Sequence, residues 1–377
     1  DFSYVTLNEL TKYRPVIFMS ATAHPFFHRW RYETNEVLPE NYYHIPSDYS
    51  YVERAVFYWT DAEEIRIIRQ ETRRGKVLIF VDQIAHMNKL VRELEDEFTG
   101  EIATACSPYR PEAKNCDGLE EVLQDEKLCK RITIVTTVFY NGINIKDPEL
   151  TCIISRLWDP IVNAQILGRK RPVSKQDTCA VYFKGYSHDR IKQERERIRK
   201  RQLEPAKKWK DGRSDPEVWQ MYLHKPGTVK MLDKYSRTVD RDEYGNGWVW
   251  KRRAEHQYLV QMDALKQMME KGYQWILYAV TESDALLSKI EPLRFKELED
   301  YIEEHLDEKI PWEIMRKELV ERGCITNPND RHKNQNMPEL RVINSRLKDY
   351  NAFVESVQKW IGTTERMRFW ILHRLYA

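Results

Sequence analysis

The chain has 377 residues, of which 41% are hydrophobic and 12% aromatic, enough for two or three folded domains with real cores. Charged residues make up 32%, yet the net charge is only +2, so contact with a polyanion must come from local patches rather than a global field. No run of about 18 apolar residues occurs, and segment 1–15 lacks a basic start followed by an apolar stretch; no spanning helix and no secretory signal are expected, which points to the cytoplasm.

In chain order, the first apolar run is 16–19, which ends in Ser20-Ala21-Thr22 and reads as a buried strand. One strand cannot make a domain, so 1–30 is expected to be the tail of a larger, truncated one. A helix is expected over 61–73, with Asp61 as its N-cap and Ile65 and Ile68 facing inward. A continuous apolar strand follows at 77–81. Ile84, Met87, Leu90, Val91, Leu94 and Phe98 then recur at spacings of three and four, which marks one face of a helix. The pattern continues with a strand at 102–105, a loop at 108–118, and a short helix starting at Leu119, Val122 and Leu123. Strands at 132–135 and 151–154, a helix at 161–167 and a strand at 178–183 complete it.

Strands apolar on both faces and alternating with helices mean an α/β domain, a parallel sheet covered on both sides, placed here at 31–188. Ligands of such sheets sit beyond the carboxyl ends of the strands, and 136–144 is such a position. Charge then becomes dense over 189–202, a helix in which arginines and lysines interleave with Glu194 and Glu196. It reads either as a solvated helix with Glu–Arg pairs or as a strand contact. A linker runs to 216. Residues 217–377 are expected to be mainly helical, with a break at 326–338. The aromatics between 209 and 250 suit a core or a base-stacking platform, and Trp248 and Trp250 alternate as in a strand.

None of the six cysteines forms a CxxC pair, and Cys152 and Cys179 lie in apolar runs, so buried reduced thiols are expected. His24 and His28 are spaced four apart, but Pro25 spoils a helical ligand pair, and no metal site is expected. No GxxxxGK[ST] phosphate loop occurs; Gly75-Lys76 has no glycine five residues upstream. No carboxylate pair follows an apolar strand in a way that would hold magnesium.

Four short stretches occur in a telling order: Ser20-Ala21-Thr22, then Leu78-Ile79-Phe80-Val81, then Thr136-Thr137 with Gly142 and Asn144, then Gln165 with Gly168, Arg169 and Arg171. In that order they resemble motifs III to VI of superfamily 2 helicases, the group that includes the DEAD/DEAH-box proteins. The resemblance covers roughly 1–185. It implies a RecA-like helicase C-terminal domain that closes with a first motor domain on ATP and magnesium. The phosphate loop and metal carboxylates, motifs I and II, belong to that first domain.

What the resemblance implies for single residues follows from the motifs. Arg169 matches the arginine finger, which neutralises charge on transferred phosphoryl oxygens and is worth ~10³–10⁵ in rate. The family commonly places a second arginine three residues on; here that position is Pro172 and the arginine is Arg171. On a helix a one-residue shift turns a side chain by roughly 100°. Gln165, Gly168, Gly142 and Asn144 match the nucleotide side. Thr136 and Thr137 match residues that hold a backbone phosphate of the nucleic acid, and Gly142 permits the tight loop between them and Asn144. Ser20 and Thr22 match the residues coupling the two domains.

The leading expectation is therefore the C-terminal portion of an ATP-dependent helicase or translocase, inactive as this chain alone. DNA is favoured over RNA because motif VI begins with Gln rather than His. The alternatives are a non-catalytic RecA-like adaptor for nucleic acid or protein, and the motor part of a restriction or phage-defence system.

Overall fold

The computed structural model describes residues 48–106, 122, 124–136, 143–210, 238–241, 248–281, 284–323, 340–361 and 365–375. The chain divides into two compact units, Asp48–Ile191 with Gln267–Ala377, and Asp1–Ser47 with Lys192–Lys266.

The larger unit is built on a seven-stranded sheet in the order β3-β4-β2-β5-β6-β1-β9. Its elements in sequence are β1 (Val52–Tyr58), α1 (Asp61–Glu71), β2 (Lys76–Phe80), α2 (Ile84–Leu94), β3 (Ile102–Ala105), β4 (Ile132–Val135), β5 (Leu150–Ser155), α3 (Pro160–Leu167) and β6 (Cys179–Lys184). Every strand pair in this sheet is parallel. It is the covered α/β, RecA-like arrangement expected from the sequence. The cause is visible in β2 and β4, which bury all residues from Val77 to Phe80 and from Ile132 to Val135. A strand with no polar face has no stable place except between two layers of helix. Fully burying each such aliphatic side chain contributes about 1.5–3 kcal/mol.

Helix α1 is capped one residue earlier than expected. Thr60, not Asp61, is the N-cap: its hydroxyl accepts from the Glu63 amide while the Glu63 carboxylate accepts from the Thr60 amide. That reciprocal pair satisfies two amides that the first turn leaves open, and Asp61 is released for other contacts. Gly75-Lys76 lies at the amino end of β2. A side chain at Gly75 would run into the Glu149 carbonyl at 2.5 Å, so glycine serves a close strand approach there. Cys152 and Cys179 are buried thiols in neighbouring strands, and burial pushes Cys179 up to about 12.

The basic stretch forms α4 (His188–Ile198), which belongs to the smaller unit from Lys192 onward, then a widened turn Arg199–Leu203 and α5 (Glu204–Lys210). Its charges pair internally: Arg197 with Glu194, Arg199 with Glu196 at 2.6 Å and with Glu204, and Lys200 with Glu196 at 3.0 Å. This is the solvated-helix alternative. β7 (Val239–Arg241) pairs antiparallel with β8 (Trp248–Trp250), where the tryptophan alternation suggested a strand. Lys210 lies over the Trp250 ring, 5.3 Å from its centroid. The long helix α6 (Arg252–Lys271) follows.

The C-terminal portion departs from the sequence expectation at one point. Helices α7 (Trp275–Thr281), α8 (Lys296–Glu304), α9 (Trp312–Glu321) and α10 (Leu340–Leu347) are present, and β9 (Ile290–Glu291) joins the main sheet beside β1. The helical run expected to reach the last residue stops at α10. Residues 352–374 form instead a long antiparallel hairpin, β11 (Ala352–Ile361) and β12 (Glu365–Arg374), flanked by β10 (Lys309–Pro311). Val354, Trp370 and Leu372 bury one face of the hairpin root against the helices. No helix among the described residues is long and apolar enough to cross a membrane.

Candidate functional site

Thr136 follows β4 directly, at the carboxyl edge of the sheet, and its amide donates to the Ala105 carbonyl at 3.0 Å. Residues 143–147 do not stay at that edge. Lys76, the first residue of β2, bonds the Asp147 carboxylate at 3.1 Å, and Lys170 bonds the carbonyl of Leu150, the first residue of β5, at 3.0 Å. These contacts place 143–147 and 169–171 at the amino edge. Asn144 and Thr136, expected together beyond the carboxyl ends, are therefore on opposite edges, separated by β4, four residues or roughly 13 Å.

The chain reaches the amino edge through α3. Asp159 caps it, accepting from the Ile161 amide at 2.9 Å, and Pro160 occupies the first turn, where no amide donor is needed. Buried Asn163 holds the helix to the end of β5. It accepts from the Ser155 hydroxyl at 2.6 Å and donates to the carbonyls of Leu157 at 2.7 Å and Asp159 at 3.0 Å. At the other end the Tyr51 hydroxyl donates to the Leu167 carbonyl at 2.5 Å.

The helix ends at Leu167, with Gly168 as its C-cap. Arg169 and Arg171 were expected on the helix; they lie beyond it. Lys170 forms a parallel bridge with Ile145, through Ile145 N–H to the Arg169 carbonyl and Arg171 N–H to the Ile145 carbonyl, both at 2.8 Å. The stretches Ile143–Ile145 and Arg169–Arg171 are thus zipped side by side. Lys170 turns inward: its ammonium is fully buried and donates to the carbonyls of Asp147 and Leu150 and to the buried Asp177 carboxylate at 2.5 Å.

Arg169 is half-buried. It donates from Nε to the Gln165 carbonyl at 2.9 Å and from a terminal nitrogen to the Ile143 carbonyl at 3.0 Å. Burial, and then the neighbouring Arg171, pull its pKa below the ordinary arginine value. Among the described residues no carboxylate pairs with it. Arg171 is exposed and donates to the Asn144 side-chain oxygen at 3.3 Å. Two adjacent arginines, oriented by neutral groups, form a site that gains by meeting an anion. Ser20, Thr22, Thr137 and Gly142 lie outside the described residues.

No family model matches the chain, and no curated protein sequence matches it. Solved structures do. Dbp5 of S. cerevisiae bound to RNA and ADP BeF3 aligns at 14% identity and a TM-score of 0.30, over 48% of this chain and 43% of that one. The C-terminal domain of the DEAD-box protein Dbp5 aligns at 16% and 0.29, over 41% of this chain and 86% of that domain. T4 UvsW aligns at 15% and 0.25, over 36% and 32%. This chain therefore spans less than half the length of the Dbp5 complex structure, 43% of it.

The sequence reading missed two groups. One is the Lys170–Asp177 pair, for which the only local sign was a third basic residue inside Gly168–Arg171. The other is an ionic network at the carboxyl edge. The Asp61 carboxylate meets Lys89 at 2.7 Å, Arg156 at 3.0 Å and Lys184 at 3.2 Å. Fully buried Glu64 accepts from Arg156 at 2.6 Å and the Tyr58 hydroxyl at 2.8 Å, and meets His86 at 3.0 Å. Burial opposes the charged form of both carboxylates. The surrounding donors outweigh it and hold both pKa values below the usual range. Burial, and then Arg156, lower Lys184. Asp61 reads from sequence as a cap, which hid this role.

Proposed function

We propose that this chain is the C-terminal portion of an ATP-dependent nucleic-acid helicase or translocase, with 31–188 as its second motor domain. The observation that carries the reading is Arg169. It is fixed by two backbone carbonyls, sits beside Arg171 and has no carboxylate among the described residues to neutralise it. A guanidinium so held costs no reorganisation when phosphate charge develops beside it. Arg169 is the proposed finger on the γ-phosphate of ATP carried with magnesium. Gln165, Gly168, Gly142 and Asn144 are proposed to shape the nucleotide side, and Arg171 to add charge there. Thr136 and Thr137, on the other edge, are proposed to hold a backbone phosphate of the strand. Ser20 and Thr22 are proposed to couple the two motor domains. Contact through phosphates implies little sequence preference and strong salt dependence.

The sequence holds no phosphate loop, so this chain by itself is expected to show no ATP turnover with or without single-stranded DNA. Robust turnover would refute the split-site reading. In a longer form carrying a phosphate loop, Arg169→Ala is expected to abolish turnover while ATP binding persists. Turnover equal to wild type would remove Arg169 from the finger role. The missing phosphate loop also suits a non-catalytic adaptor. A longer form that binds single strands yet never hydrolyses ATP would favour that reading.

A further inference from the structure

The C-terminal portion of the larger unit has a topology of its own. In sequence it runs helix (α8), strand (β10), helix (α9), helix (α10), and then the strands β11 and β12. The strands order as β10-β12-β11. This is the layout of a winged helix-turn-helix: three helices, a small antiparallel sheet and a projecting hairpin. Leu298, Tyr301 and Ile302 of α8, Met315 and Leu319 of α9, and Ile343 and Leu347 of α10 are buried, together with Val354, Trp370 and Leu372. Asn344 ties α10 to the hairpin, donating to the Val354 carbonyl at 2.9 Å and accepting from its amide at 2.6 Å.

What these elements leave outward is basic and aromatic. On α10 the exposed positions are Arg341, Val342 and Ser345, and Lys348 continues the stripe one turn on. On the hairpin, strand register puts Gln358 and Trp360 on one face with Arg368 and Arg366. Trp360 is 60% exposed, and the Arg366 guanidinium lies 4.5 Å from its ring centroid. Arg368 lies over Trp312 at 5.7 Å. Lys359 crowds Lys309 closely enough to depress the latter's pKa, a sign of uncompensated positive charge. Near the core, Arg346 and Arg374 are taken by Asp349 and Glu303. Farther out, Arg341, Lys348, Lys359, Arg366 and Arg368 meet no carboxylate among the described residues. Cations are thus neutralised at the root of the module and left open on its outer surface.

We propose that residues 296–374 form a docking module for double-stranded DNA, with α10 entering the major groove and the hairpin lying along the adjacent backbone. A helix of ~10–12 Å diameter fits a B-form major groove of about 12 Å, with Arg341 and Ser345 reaching base edges. The deep, narrow major groove of an RNA duplex excludes it. Arg366 and Arg368, on one face of the hairpin, pair with phosphates. This duplex contact needs no nucleotide and stands apart from the motor reading.

The test uses the full chain, without ATP, and a fluorescein-labelled DNA duplex of about 20 base pairs read by anisotropy across a salt series. The double variants are Arg341→Ala/Lys348→Ala and Arg366→Ala/Arg368→Ala, with Arg92→Ala/Lys127→Ala as an exposed-charge control and circular dichroism to confirm folding. Each of the first two is expected to weaken duplex binding at least tenfold. Each lost phosphate contact flattens the log K against log salt slope by about 0.9, so the hairpin pair should flatten it by about 1.8. The control should bind as wild type. Variants that fold and bind the duplex as wild type would overturn the proposal. So would an equal loss in the control, or wild-type affinity for an RNA duplex matching that for DNA.

Discussion

Replacing Lys170 by Met tests what holds the Arg169 segment in place. The Lys170 ammonium is fully buried, and its three protons are matched by three acceptors: the carbonyls of Asp147 and Leu150 and the Asp177 carboxylate. Asp177 is also buried and accepts one further bond, from the Val173 amide at 2.9 Å. Methionine keeps the length of the side chain and removes the charge. Asp177 is then left as a buried anion with one amide donor, and the Asp147 and Leu150 carbonyls each lose one donor, Asp147 keeping the Leu150 amide. Breaking a buried ion pair from one side costs about 3–5 kcal/mol, because the surviving charge is uncompensated. The double variant Lys170→Met/Asp177→Leu removes both charges and should recover most of that loss. The measurement is urea unfolding followed by fluorescence, compared at unchanged slope so that midpoints report stability. A loss below about 1 kcal/mol in the single variant would sink the argument. So would a double variant no more stable than the single, since the cost would then not come from a stranded charge.

Other outcomes follow from the same contacts. Asn163→Ala strands the Leu157 carbonyl and takes from the buried Ser155 hydroxyl its acceptor, and should cost roughly 2–3 kcal/mol, read by the same unfolding assay. Thr60→Ala removes the α1 cap and should cost about 1 kcal/mol, with Thr60→Ser close to wild type. Asp61 and Glu64 have folded pKa values below their unfolded ones, so their contribution is fully present above pH ~4 and is lost progressively as pH falls from there through the folded values. A Glu64→Gln variant should therefore be less stable at pH 7 and show a flatter acid limb; parallel curves for the two proteins would refute this. Cys152 and Cys179 should resist alkylation in the folded chain and react only on unfolding, as mass spectrometry after a timed iodoacetamide pulse would show.

The main sheet was legible because its central strands have no polar face. A run such as Val77-Leu78-Ile79-Phe80 admits few readings once helices flank it. The hairpin at 352–374 was not legible for the opposite reason. Its root is buried but its outer half faces solvent on both sides, so Gln358, Trp360, Arg366 and Arg368 share a face without an apolar pattern to betray it. Lys170 was hidden differently. A lysine between two arginines reads as surface, and its partner Asp177 lies seven residues on, where only the folded chain brings them together. The cap at Thr60 was readable: Thr60 and Glu63 have the spacing of a reciprocal cap, and the acidic Asp61 beside them drew the assignment one residue late.

Arg171, one residue short of the family's second arginine, changes meaning with the backbone around it. On a helix the shift would rotate it by roughly 100° away from the Arg169 side. The helix, however, ends at Leu167, and the residues after Gly168 pair with Ile145 as a strand does. In an extended segment the period is two, so alternate residues share a side. Lys170 takes the inward direction and is buried; Arg169 and Arg171 are left on the other side, where each bonds the neighbouring Ile143–Ile145 stretch. Burial first, and then repulsion from Arg171, lower the Arg169 pKa, and the second of these is the electrostatic trace of that adjacency. A charge pair that a helical reading would separate is thus brought together by the switch from helix to bridge. The buried Lys170 is what enforces the switch, because no helical continuation could deliver its ammonium to Asp147, Leu150 and Asp177 at once. Lys170→Met/Asp177→Leu should therefore restore stability without restoring the site. In a longer form with a phosphate loop, its turnover should stay well below wild type while the fold recovers, and full recovery of both would show that the strut and the arginines are independent.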